Sequence, residues 1–556
     1  MLVISSFRKF KTGSAATSAL VALFLSVVLS LEARSQVAPE MGQAAESVGR
    51  GRILLVLPFD NRTGQPSLEW IREAAPTILS SRFTSAGFAP MSRADRLYAL
   101  DHLGLPEGFQ PSRASSLKLA QTLDADSIVV GSYLTDGSNI LAEARVVDVP
   151  HLRMSESVTA RGDMHDMIAV FDSLAWKLTR VLDPGFSVAE ETFVAAGRDV
   201  RLDAFEQYIR GISESDHDER LRHLNQAVKM SPEFGPAWMA LGREDYAGQQ
   251  YDEAAAAFAK VSGNDPDALE AGFYRGLSLL FSGNYPQADA AFGAVAKVLP
   301  LAEVVNNQGV AVSREGKDGS ALFVSAETAD PNAADYHFNL AVSLKRRGST
   351  KEALAELGQC LKLRPNDSEA QELQKAWTEP SAATPAAGGV DQGAADDAKA
   401  DPLERIMRTF DAVAFRQAAM MMDQMDASRL AVLTPRDRAV KLAGQAKDFL
   451  DRGLLLEAER LYQSAVIADG SVAEAHAGLA EVRERTGDTV AARQQAQAAL
   501  NLEPSAEAYL VLGRLDLAAN HVEDASKEAG QALKLDPENR AGQELNRKIA
   551  LKTGNK

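Results

Sequence analysis

Pro236-Ala237-Trp238-Met239-Ala240-Leu241-Gly242, then Ala254-Ala255-Ala256-Ala257-Phe258, then Pro266: the reading of this 556-residue chain turns on that stretch. Its spacing returns along the sequence. Prolines 232, 266 and 300 lie 34 residues apart, the next is Pro331, and Pro365 follows 34 later. Such a period gives one pair of antiparallel helices per unit, each pair closed by a proline that cannot extend the helical ladder. Where paired helices cross closely only a tiny side chain fits, so Gly242, Ala254, Gly276, Ala288, Gly309, Ala321, Ala341 and Ala353 are the expected crossing points. Trp238, Phe258 and Phe292 are expected to fill the space between units. The first unit, about 203–232, lacks the aromatic signature, as a terminal unit would.

These positions resemble the signature of the tetratricopeptide repeat, and the resemblance covers residues 199–377 and again 436–551. The second stretch has Ala458, Tyr462 and Ala465, then Leu479, Ala480, Ala492, Ala499 and Pro504, then Leu512, Gly513, Ala525, Ala532 and Pro537. Residues 538–551 would cap its open end. Between the arrays, 378–401 is rich in Thr, Ala, Gly, Pro and Asp, the composition of a disordered linker. Leu403, Ile406, Phe410, Val413, Met421 and Met425 recur at nearly helical spacing, which predicts a linking amphipathic helix within 402–434.

Ahead of the arrays the pattern is α/β, over about 51–185. Ile53-Leu54-Leu55-Val56-Leu57, closed by Pro58, suits a strand buried on both faces. Residues 68–86 read as a helix in which Pro76 implies a kink or a later start. Strands over 128–134 and 140–146 flank a hairpin at Asp136-Gly137-Ser138-Asn139. Leu57-Pro58-Phe59-Asp60-Asn61-Arg62-Thr63-Gly64, Gly131-Ser132-Tyr133 and Ala144-Arg145-Val146-Val147-Asp148 resemble the TolB amino-terminal-like domain. That resemblance implies a role in interaction, not catalysis. The fold class is an α+β multidomain chain: a small α/β domain followed by two all-α helix-turn-helix solenoids.

Residues 1–35 have the layout of a secretory signal: Arg8, Lys9 and Lys11, an apolar run from Ala15 to Leu31, and Ala33-Arg34-Ser35 before Gln36. The chain is expected to be periplasmic or otherwise exported, with membrane contact only if this segment stays uncleaved as an inner-membrane anchor. With 76 acids against 59 bases and a formal charge of −17, nucleic acid is excluded as the default partner. A single cysteine, Cys360, permits no internal disulfide, and the eight histidines show no metal-ligand spacing. There is no P-loop, no G-x-G-x-x-G and no hydrolase motif, so no cofactor or enzymatic activity is expected.

Function then falls to the concave trough lined by the first helix of each pair, which suits an extended peptide or a partner helix. Asn307 and Asn339 share one repeat position, two before the small residue. They resemble the inward asparagine ladder by which superhelical tetratricopeptide arrays bond peptide backbone. Ala240 and Tyr274 occupy the matching positions in neighbouring units, which would keep the ladder short. Lys345, Arg346 and Arg347, at the end of the same helix, could hold an acidic partner, although bases there also suit the helix dipole. Met420, Met421, Met422 and Met425 read as core against the second array, and Cys360 as a small packed hydrophobe. Asp60-Asn61-Arg62-Thr63-Gly64 reads as turn chemistry. The resulting expectation is an exported, non-catalytic scaffold for protein or peptide partners in cell-envelope assembly or regulation. The alternative is a small-ligand or glycan sensor working through the α/β domain.

Overall fold

The computed structural model describes residues 53–109, 112–195, 200–378, 402–410 and 412–554. The expected signal segment and, apart from Thr378, the linker expected over 378–401 lie outside them. Seven strands are β1 (Ile53–Val56), β2 (Asp60–Asn61), β3 (Ala89–Pro90), β4 (Ser127–Asp136), β5 (Asn139–Asp148), β6 (Arg153–Met154) and β7 (Val158–Asp163), in one sheet ordered β3-β1-β4-β5-β6, with β2 on β4 and β7 on β5. The chain divides into two compact units. Among the described residues, one holds Ile53–Val56 with those of Gly87–Val129 and Val147–Met154; the other holds Leu57–Ala86, Val130–Val146 and those from Ser155 onward.

In the first unit β1 runs parallel between β3 and the start of β4, with Ile53 opposite Ala89 and Leu55 opposite Ile128. Consecutive residues of a strand point to opposite faces, and Leu54, Leu55 and Val56 are all buried, so both faces of β1 are covered, hence its unbroken apolar run. Helix Arg93–His102 opens on a capping box, in which Ser92 accepts from the Asp95 amide and Asp95 reaches back to the Ser92 amide.

In the second unit β5 pairs antiparallel with β7, Ala142 opposite Ala160. Gly131 is required there, because a Cβ would lie 2.3 Å from the ring of Phe59. Phe59 stands edge-on to Phe171 at 5.8 Å, and Phe171 belongs to helix Met167–Leu182. The helix expected over 68–86 begins at Ile71 and carries Pro76 in its interior. Pro76 has no amide proton for the carbonyl of Arg72; that carbonyl instead accepts the N–H of Phe59 at 3.2 Å.

The repeats of this unit are pairs of helices: Leu202–Ser213 with His217–Met230, Gly235–Ala247 with Tyr251–Phe258, Ala268–Phe281 with Tyr285–Val298, Ala302–Arg314 with Ser320–Ala329, and Ala334–Arg346 with Thr350–Leu363. Ser368–Thr378 follows as a single helix. The small residues sit where an aromatic of the second helix presses on the first. A Cβ on Gly242 would meet Phe258 at 2.8 Å, on Gly276 Phe292 at 2.6 Å, and on Gly309 Phe323 at 2.7 Å.

Two expectations about side chains need correcting. In the fourth repeat Ala321 is exposed, and the close approach falls on Gly319, where a Cβ would lie 2.6 Å from the Gly309 carbonyl oxygen. The interval from Gly309 to Phe323 is two residues shorter than that from Gly276 to Phe292, so the shortening moves the crossing point. Trp238 does not fill the space between units. It is half-buried, and its indole N–H donates to the Pro232 carbonyl at 2.7 Å. His337 to Pro331, Gln371 to Pro365, His476 to Gly470 and Gln543 to Pro537 repeat this latch across six residues.

The linking helix over 402–434 is likewise corrected. Residues 402–410 are not helical, and the helix spans Ala412–Ala431. Met421, Met422 and Met425 are exposed on it, so they are not core. The second array comprises Pro435–Asp451 with Leu455–Ala468, Ala473–Thr486 with Thr489–Leu502, Ala506–Ala518 with Val522–Leu535, and the final helix Arg540–Lys552. Buried Glu459 of this array accepts the Ala189 N–H at 2.9 Å and pairs with Arg483 at 2.7 Å. Cys360 packs among Ala334, Phe338, Leu357 and Ala370. Among the described residues no helix is long and apolar enough to cross a membrane.

Candidate functional site

Helices Ala302–Arg314 and Ala334–Arg346 are the first helices of adjacent repeats, and they bring Asn306, Asn307 and Asn339 together, all three fully buried. A carboxamide carries both a donor and an acceptor, so it can close on the N–H and C=O of a single residue of an extended strand. Both expected asparagines do this, and the strand is the chain's own segment 402–410. Asn339 accepts the Arg405 N–H at 2.6 Å and donates to the Arg405 carbonyl at 2.8 Å. Asn307 does the same for Met407, at 2.8 Å both ways. In an extended chain alternate residues face the same way, which is why the grip falls on 405 and 407. Tyr274, at the position that departs from asparagine, receives the Phe410 main-chain N–H on its hydroxyl. The segment thus runs against the order of the repeats.

Sequence reading missed Asn306, although the Asn306-Asn307 doublet was visible. It accepts from Asn339 at 2.8 Å and donates to the Arg405 carbonyl at 3.2 Å, so the buried amides satisfy one another and the segment together.

Side chains of the segment enter separate pockets. Glu404 is buried against Ser313 and Arg346, with Arg314 Nε at 3.8 Å; Arg346 also donates to the Pro402 carbonyl at 2.9 Å. Arg405 lies 3.6 Å above the ring of Phe338 and is held by Asp335 at 2.9 Å, Asp367 at 2.6 Å and Glu369 at 3.0 Å. Burial disfavours the Arg405 charge, but the hydrogen bonds it donates to Asp367, Asp335 and Glu369 outweigh it and hold the guanidinium pKa above its ordinary value. The Arg405 hydrogen bond keeps the Asp367 carboxyl below its ordinary range. Ile406 and Phe410 pack on the core of the third and fourth repeats, Phe410 lying 5.5 Å from Phe273, and Met407 packs beside Val305 and Tyr336.

Of the four expected binding residues, Asn307, Asn339 and Arg346 therefore touch the segment. Lys345 is elsewhere: its ammonium bonds the Thr350 hydroxyl at 3.1 Å and lies 5.6 Å from the Trp377 ring. Arg347 pairs with Asp318 and Ser320. The Asp60–Gly64 loop is bonded within itself, Asn61 Oδ1 accepting from both the amide and the hydroxyl of Thr63. A separate cavity of about 110 Å³, lined by Ser81, Arg82, Ile168, Asp172, Phe205 and Tyr208 among others, encloses one buried acid. Asp172 is 1% exposed, its oxygens lack hydrogen-bond partners, and Arg82 Nε stands 3.7 Å away. Burial pushes its carboxyl up to about 7, with Arg82 pulling the other way.

Family models of the tetratricopeptide repeat match residues 239–292, 334–367 and 444–508. The chain carries tetratricopeptide repeats in both arrays. No curated protein matches it. Among solved structures it is similar to YrrB, a TPR protein with an unusual peptide-binding site, at 17% identity over 33% of this chain and 95% of that one, with a TM-score of 0.29. MamA is 14% identical over 29% of this chain and 96% of its own, with a TM-score of 0.27. The C-terminal domain of LpoB from Escherichia coli is 19% identical over 20% of this chain and 84% of its own, with a TM-score of 0.19.

Proposed function

We propose that the first array is a receptor for extended peptide segments within an exported, non-catalytic scaffold that gathers protein partners in cell-envelope assembly or regulation. One observation carries the reading: Asn339 and Asn307 each close on both main-chain groups of one residue of an extended strand. That grip reads backbone, which every peptide possesses, and the flanking pockets add selection by side chain. The signal-like residues 1–35 support export. The motifs at 57–64, 131–133 and 144–148 support a TolB-like interaction domain ahead of the arrays.

Amide hydrogen exchange on the full chain tests the grip. The Arg405 and Met407 amides should exchange slowly in the wild type and lose protection in Asn307→Ala/Asn339→Ala, while the helices of the second array keep theirs. Unchanged protection at 405 and 407 would reject the ladder as a peptide-holding device.

A further inference from the structure

Resting on the peptide-receptor reading, we propose that the external ligand of the trough is a partner segment carrying a Glu-Arg pair followed by large apolar residues one, two and five places after the arginine. We propose further that it enters by displacing the chain's own residues 402–410, which act as a resident competitor.

The chemistry follows from what the trough has built around its present occupant. Two pockets of opposite sign lie side by side. Ser313, Arg314 and Arg346 enclose Glu404, whose side chain is fully buried. Asp335, Asp367, Glu369 and the face of Phe338 enclose Arg405. A peptide with these charges reversed would place each charge against a like one in a partly desolvated site, where repulsion is large. The apolar requirements come from Ile406 and Phe410 on the core of the third and fourth repeats and from Met407 beside Val305 and Tyr336. Backbone pairing at 405 and 407 fixes the register, so the pockets read defined positions.

The competitor is covalently joined to the array it fills, through residues 379–401, so its binding is intramolecular. Tethering of this kind multiplies the apparent hold by about 10²–10⁴ over the same peptide free in solution. A partner must therefore overcome the tether, and weakening the tethered copy should open the site.

The test uses the full chain and a fluorescent synthetic peptide, Pro-Leu-Glu-Arg-Ile-Met-Arg-Thr-Phe, read by anisotropy. Arg405→Glu in the chain should raise affinity for the peptide at least tenfold over wild type, and Glu404→Lys supplies a second opening should the first variant fail to fold. Adding Asn307→Ala/Asn339→Ala to the opened chain should abolish binding. A peptide with Glu and Arg exchanged should bind the opened chain at least tenfold more weakly. If exchanged and native peptides bind alike, the ligand class proposed here is wrong while the backbone grip stands. If the opened chain binds no peptide, the receptor reading itself fails. Equal affinity in wild type and opened chain would remove the competitor, and a wild-type dimer that Arg405→Glu dissociates would make a second copy the occupant.

Discussion

Asparagine suits the trough because its short carboxamide reproduces the donor and acceptor of a peptide unit at a fixed spacing, with little rotamer freedom to lose. Buried amides of this kind need partners, since orphaning one costs about 1–3 kcal/mol. Asn306, Asn307 and Asn339 find theirs in one another and in residues 405 and 407. Asp172 has no such partner. Its folded pKa of about 7 lies above the ordinary 3.8, so its contribution to stability is complete below 3.8 and is lost as pH rises through about 7. Asp172→Asn should therefore stabilise the chain more at pH 8 than at pH 5, by a difference on the order of 2–3 kcal/mol. Denaturant midpoints at the two pH values read this directly, and an equal effect at both would show that Asp172 stays ionised in the folded chain. Residue identity signalled the two asparagines from repeat position alone. It could not signal Glu404 or Arg405, which lie far away in sequence and have no place in the period.

At the scale of the helix pair, glycines of the same residue type play opposite parts. Gly276 admits the Phe292 ring, and a methyl there would lie 2.6 Å from it; Gly444, inside Pro435–Asp451, faces nothing within 4 Å. Gly276→Ala should cost about 1–3 kcal/mol through overpacking. Gly444→Ala should add about 0.5–1 kcal/mol by removing backbone freedom from the unfolded chain. Thermal melts of the two variants decide this, and a neutral Gly276→Ala would mean that the crossing is looser than the aromatic packing indicates. Most elements were legible because the 34-residue period is a local property of helix pairs. The exceptions have local causes as well: a two-residue shortening moved the crossing in the fourth repeat to Gly319, and apolar spacing at 403, 406 and 410 imitated a helix. Ile406 and Phe410 are apolar because they fill pockets of the trough, while Leu403 is exposed. An extended segment whose buried positions happen to fall three or four apart cannot be told from an amphipathic helix by periodicity.

Over the whole molecule, contacts distant in sequence decide what the arrays do. Residues 187–192 meet the second array through Glu459, Gln463 and Thr486, and residues 402–410 fill the first. The address proposed for the chain belongs to this scale too, since residues 1–35 would set the compartment for every site behind them. Intact mass of the chain recovered from the extracytoplasmic fraction should place Gln36 first. A full-length chain confined to the cytoplasm would remove the envelope from the proposal.

By itself the sequence determined the repeat, its helix pairs, the α/β region ahead of them and the two asparagines of the ladder. Each follows from spacing within one or two units, where side-chain size and backbone geometry act between near neighbours. Only the tertiary structure decided that the trough is occupied and by what. That depends on four main-chain groups and two charged side chains meeting partners 36 to 100 residues away. Nothing in the period carries such a meeting, because the segment conforms to the pockets of the folded array and not to any pattern of its own.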